Sequence, residues 1–84
     1  MIKQRTATIA NNAGGVMTDE VGVITGDLTL VTELDEDGAV LLRVQYLEAD
    51  EWYTVTRGVC VLSDPADLDA VHQLAVGLLD RGEG

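Results

Sequence analysis

The chain has no phenylalanine and only one proline, one cysteine, one tryptophan and one histidine. It is also poor in positive charge: five Lys and Arg stand against fifteen Asp and Glu, for a formal net charge of −10. Each scarcity excludes something. A single cysteine, Cys60, offers no disulfide framework and suits a reducing compartment. A single histidine, His72, leaves no second imidazole to complete a zinc site. Ser63, the one serine, sits where a helix cap is needed. A Cys60 nucleophile with His72 as its base is conceivable, but Cys60 falls in an apolar run, where the neutral thiol is favoured and reactivity is low. Carboxylates alone remain to assemble a site, so no catalytic residue, cofactor or metal is expected, and the chain is read as a non-enzyme.

The shortage of basic residues also restricts partners. Neutralising phosphate is the main sequence-independent term in binding nucleic acid or anionic lipid, and this charge balance opposes it. No apolar run approaches the length of a membrane span. Lys3 and Arg5 are not followed by the apolar segment of a secretory signal. The expectation is a cytoplasmic protein with no membrane association.

What the chain does have is apolar content of 46% in 84 residues, enough for a folded globule in spite of the charge. A single domain over 1–84 is expected, able to bury about 60% of its unfolded surface. The clearest signal is a hairpin between Ala39 and Leu62. Val40, Leu42, Val44 and Tyr46 alternate with Leu41, Arg43, Gln45 and Leu47, so the first set should face the core. Trp52 to Arg57 is rich in aromatic and β-branched residues, as strands are. Gly58 predicts a bulge or bend. The apolar run Val59-Cys60-Val61-Leu62 reads as a strand buried on both faces. Upstream, Ile24, Leu28, Leu30 and Leu34 share one face of a half-buried strand, and Asp37-Gly38 marks the turn into the hairpin. Ile2 to Ala10 is an edge strand, Asn11 to Gly15 a turn or loop, and Asp19-Glu20 a loop.

Beyond Leu62 the pattern changes to that of a helix. Ser63 or Asp64 is the cap and Pro65 the first helical residue. Asp67 and Asp69 suit the first turn, Arg81 the last, and Gly82 the stop. Leu68, Val71, Ala75, Leu78 and Leu79 lie on one face, which Leu74 and Val76 widen to roughly half the circumference, more than the ~100° stripe that one small sheet covers. Either the sheet curls around the helix, or a second copy covers the excess; the second is preferred, with Val71, Leu74 and Leu78 as the dimer contact. The expected fold is α+β: an antiparallel β-meander of four or five strands (about 2–10, 23–34, 39–47 and 52–62) followed by one C-terminal α-helix (about 65–81).

Glu33, Asp35, Asp37 and Gly38 echo the first half of a calcium loop, but Val44 occupies the position of the bidentate glutamate, so an acidic turn is the better account. His72, inside the apolar arc, is read as half buried at a helix–sheet or dimer contact. The expected function is that of a small acidic protein-interaction module, regulatory or accessory and homodimeric, that binds another protein, a basic one by charge. Trp52, Tyr53, Arg43 and Arg57 are the candidate partner contacts. Two other readings stay open. One is a single-stranded nucleic-acid binder stacking bases on an open sheet face, which Glu48, Asp50 and Glu51 oppose. The other is an acidic inhibitor that mimics nucleic acid toward a basic protein.

Overall fold

The computed structural model describes residues 3–81. Four antiparallel strands form a meander, β1 (Lys3–Thr18), β2 (Gly22–Leu34), β3 (Ala39–Tyr46) and β4 (Tyr53–Val61). A 3₁₀ turn over Pro65–Asp67 leads into the C-terminal helix α1 (Leu68–Leu79). The architecture is α+β. Ile2 and Gly82, the expected first strand residue and helix stop, lie outside the described residues. No helix among them is long and apolar enough to cross a membrane.

The sheet curls until β1 meets β4 at the pair Thr18↔Val55, closing a small barrel at that end. The turn between β1 and β2 fastens the closure. Asp19 N donates to Thr54 O at 3.0 Å, Glu20 accepts from both the Thr54 amide and hydroxyl, and Thr56 donates its hydroxyl to Asp19. Ile9, Val16, Ile24, Leu28, Leu30, Val44 and Val55 fill the interior, where they meet Ala75 of α1. Burying each such aliphatic side chain contributes about 1.5–3 kcal/mol. Leu34, Val40 and Leu68 form a second cluster toward the helix N-terminus. Val31 points outward by strand parity, yet it too is buried.

β1 is longer than the sequence suggests. Asn11 to Gly15, expected as a loop, is a bulge inside the strand, and pairing with β2 resumes at Val16↔Ile24. The buried Asn11 side chain makes this possible by taking the place of a backbone partner. Its Oδ1 accepts from Gly15 N at 2.9 Å, and its Nδ2 donates to Leu79 O at 2.9 Å, the last residue of α1. Gly15 sits at φ 77°, where a Cβ would fall 2.3 Å from Val23 Cγ1, so only glycine fits there.

The helix begins as its sequence requires. Asp64 accepts from Ala66 N at 2.9 Å, and Pro65 takes the first position. Arg81, expected in the last turn, lies beyond it: its backbone pairs with Ala10 and Asn12 along the edge of β1, and its Nε donates to Leu78 O. Leu68 and Ala75 are buried, whereas Leu74 and Leu78 are 64% and 57% exposed. The helix therefore packs one side of its apolar arc on the sheet, mainly on β1 and β2, and leaves the rest uncovered.

Two substitutions test this account of the packing. Asn11→Ala strands the Gly15 amide and the Leu79 carbonyl, and is expected to lower the unfolding free energy by about 1–3 kcal/mol in a denaturant titration. Gly58→Ala brings a Cβ to 2.9 Å from Leu42 Cβ and 3.1 Å from the Val55 carbonyl. A loss of about 1–3 kcal/mol is expected from that overpacking; an unchanged midpoint would contradict the close approach.

Candidate functional site

The second half of β4 is where the fold leaves apolar residues unaccounted for. Pairing between β3 and β4 starts in regular register at Val44↔Tyr53 and Arg43↔Thr54, then shifts, so that the next pair is Leu41↔Val59. Leu42 alone faces the stretch from Val55 to Gly58, which loops out with Arg57 at φ 63°. This is the bulge that Gly58 predicts. Beyond it β4 pairs with β3 on one side, and no pair joins it to β1 past Val55 among the described residues.

The orientation of that free edge follows from one hydrogen bond. Leu62 N donates to Gly38 O at 2.8 Å, which makes 38↔62 a hydrogen-bonded pair. In an antiparallel ladder these pairs alternate, so Val40↔Cys60 is the next, and the N–H and C=O groups of Val59 and Val61 point away from β3. Val59 is 65% and Val61 76% exposed, and Cys60 is exposed as well. Reading Val59–Leu62 as buried on both faces, with the Cys60 thiol buried, is thus corrected. Past the bulge β4 has no pair with β1, and no further strand covers it among the described residues.

Between this edge and α1 runs a groove. Its floor is Val40, Leu42, Val71 and Ala75; its walls are Gly58 to Cys60 on one side and Leu74 and Leu78 on the other. Among the described residues Arg57 is the one charged residue lining it. Across the strand, Ala39, Leu41, Val59 and Val61 line a depression on the outer sheet face, beside Glu33 and Arg43. Arg43 Nε stands 3.3 Å from Glu33 Oε1 but is not aligned to hydrogen-bond with it. The acidic residues of the turns, Asp19, Glu20, Glu36, Asp37, Glu48, Asp50 and Glu51, are exposed elsewhere on the surface.

The structure gathers Val71, Leu74 and Leu78 along this groove. It does not gather Trp52, Tyr53, Arg43 and Arg57. Tyr53 pairs with Val44 and packs against the interior, its ring edge-on to Tyr46 at 6.5 Å. Arg43 projects from the opposite, outer face, Arg57 stands in the groove, and Trp52 is exposed ahead of β4. Sequence reasoning missed Val59 and Val61, because an apolar run carries no mark of whether the fold or another chain covers it.

Of the polar candidates, His72 is half buried, and its Nδ1 lies 2.8 Å from the hydroxyl of the buried Thr32, joining α1 to β2. Burial, followed by the nearby Arg5, holds its pKa below the ordinary 6.5, with Asp69 opposing. Asp35, within the calcium-like acidic turn, uses Oδ1 to accept from Asp37 N and Ala39 N. Comparison of the chain with protein-family models, with curated proteins and with solved structures finds no match.

The lowered His72 pKa sets a direction for pH. The folded protein binds fewer protons than the unfolded chain, so this contribution is complete above about pH 6.5 and is lost as pH falls below it. Hydrogen bonds from the Thr54 backbone and hydroxyl hold Glu20 below its ordinary 4.5, so a second loss follows at lower pH. Denaturant titrations at pH 7.5 and 5.5 are expected to show lower stability at the acid value, with the difference reduced in His72→Gln. Stabilisation on acidification over that interval would contradict the assignment.

Proposed function

We propose that the protein is a non-enzymatic, homodimeric interaction module, regulatory or accessory in role. Two copies meet along the groove between α1 and β4, and the acidic remainder of the surface engages a basic protein. The observation that carries this reading is the convergence of Val59, Leu74 and Leu78, each more than half exposed, on one groove that no carboxylate of the described residues lines, with the exposed Val61 next to it across the strand. Contiguous exposed apolar surface rimmed by polar residues marks interaction sites, and an apolar strand edge left open invites pairing with another chain.

The charge of the rest of the molecule supports the second half of the reading. Exposed carboxylates at the turns would steer a basic partner and repel phosphate. A single-strand nucleic-acid site needs its aromatic and basic side chains on one open face. Tyr53 and Arg43 lie on opposite faces, and Trp52 adjoins the exposed Glu48, Asp50 and Glu51.

Sedimentation equilibrium on the wild type and on Leu74→Glu tests the dimer. Leu74 is 64% exposed, so the glutamate is expected to leave the fold intact, with an unchanged circular dichroism spectrum. The wild type is expected to sediment as a dimer and the variant as a monomer. A wild type monomeric at all concentrations would overturn the reading.

A further inference from the structure

We propose that the two copies join through their β4 strands, antiparallel and centred on Cys60, so that one sheet runs through both; this rests on the dimer proposed above. The edge itself selects the register. Val59 and Val61 are the residues whose backbone groups point outward, and a two-fold axis at Cys60 sets Val59 against the partner's Val61 and Val61 against the partner's Val59. Four edge hydrogen bonds form reciprocally. An axis at Val59 would instead require Arg57 to pair with the partner's Val61, and the left-handed backbone of Arg57, at φ 63°, cannot continue a ladder.

Chemistry on both faces favours a second copy over another occupant. A strand added here must be apolar on its outer side, to meet Leu41, Val59 and Val61, and on its inner side, to meet the groove. The segment Val59–Leu62 is such a strand, and it already lies at the edge. The two-fold keeps both helices on the same face, so the two grooves join and the Leu74 and Leu78 side chains flank a shared apolar channel. Charge agrees as well. In this register Arg57 comes abreast of the partner's Ser63, next to the partner's Asp64, and the same pairing recurs on the other side of the axis.

Cys60 then faces the partner's Cys60 as a non-hydrogen-bonded pair, with Cα atoms about 4.5 Å apart, inside the roughly 4.4–6.8 Å range that a disulfide spans. As the only cysteine of the chain, it serves as a probe. Two measurements on the wild type test the proposal. Amide exchange by NMR, above the dissociation constant found by sedimentation, is expected to slow at Val59 and Val61 by at least about tenfold relative to monomeric Leu74→Glu. Copper-phenanthroline treatment of dilute dimer, in which two copper(II) ions each take one electron as the two thiols release two protons and join as a disulfide, is expected to give a covalent dimer, absent in Leu74→Glu at the same concentration. A dimer with unprotected Val59 and Val61 amides would overturn the strand pairing while leaving the dimer itself standing. Protected amides without the disulfide would overturn the Cys60-centred register. A monomeric wild type would overturn both proposals.

Discussion

The buried amide of Asn11 joins parts of the chain that are far apart in sequence, and the placement of the helix depends on it. One end of the amide closes the bulge in β1 at Gly15; the other holds the carbonyl of Leu79 at the end of α1. Around it, Asp80 accepts from Ala10 N, and the backbone of Arg81 pairs with Ala10 and Asn12. At the other end of the helix Arg5 pairs with Asp69, and in the middle Thr32 meets His72. These ties run to β1 and β2. Hydrogen bonds among buried groups are costly to leave unmade, so the helix is drawn to that side of the barrel, away from β4.

The groove is the consequence of that placement combined with the bulge at Val55–Gly58. β4 is anchored to β1 by Val55 and by the Asp19–Glu20 turn at Thr54 and Thr56, and the excursion through Arg57 and Gly58 then releases it. Gly58 packs so tightly against Leu42 and Val55 that the excursion has a fixed shape. From there to Leu62 the strand has β3 on one side and, among the described residues, no strand on the other. Soluble proteins ordinarily blunt such an edge with lysine, proline or a covering element. Here Val59, Cys60 and Val61 occupy it, and the bulge that elsewhere serves to twist an edge out of reach stands upstream of them.

Much of this architecture was legible in the residues. The alternation of Val40, Leu42 and Val44, the Asp37-Gly38 turn, the bulge at Gly58 and the Asp64-Pro65 helix start all act through neighbours in sequence, which is why pattern reveals them. Asn11 to Gly15 misled because the strand continues there only with the help of a side chain anchored by Leu79, a partner distant in sequence. Val59–Leu62 misled for a different reason. Continuous apolarity says that a segment seeks cover, and it does not say which chain supplies it. The wide apolar arc of α1 had the same ambiguity, and the structure divides it: Leu68 and Ala75 face the barrel, Leu74 and Leu78 the solvent. The aromatic and basic residues near the β3–β4 turn are close in sequence, but strand alternation sends Tyr53 and Arg43 to opposite faces.

A chain of net charge −10 must overcome its own repulsion to associate with itself, and the location of the charge decides whether it can. Charges separated by more than about 8 Å are largely screened at physiological ionic strength, and the molecule is 35 Å long. What matters is therefore the charge at the contact rather than the total. Among the described residues Arg57 is the charged residue that lines the groove, and the antiparallel pairing proposed above would carry it toward the acidic start of the other helix. Asp19, Glu20, Glu36, Asp37, Glu48, Asp50 and Glu51 stay exposed at the turns. An apolar groove thus lies apart from the acidic turns, while the outer depression across the strand carries Glu33 and Asp35 beside its apolar residues.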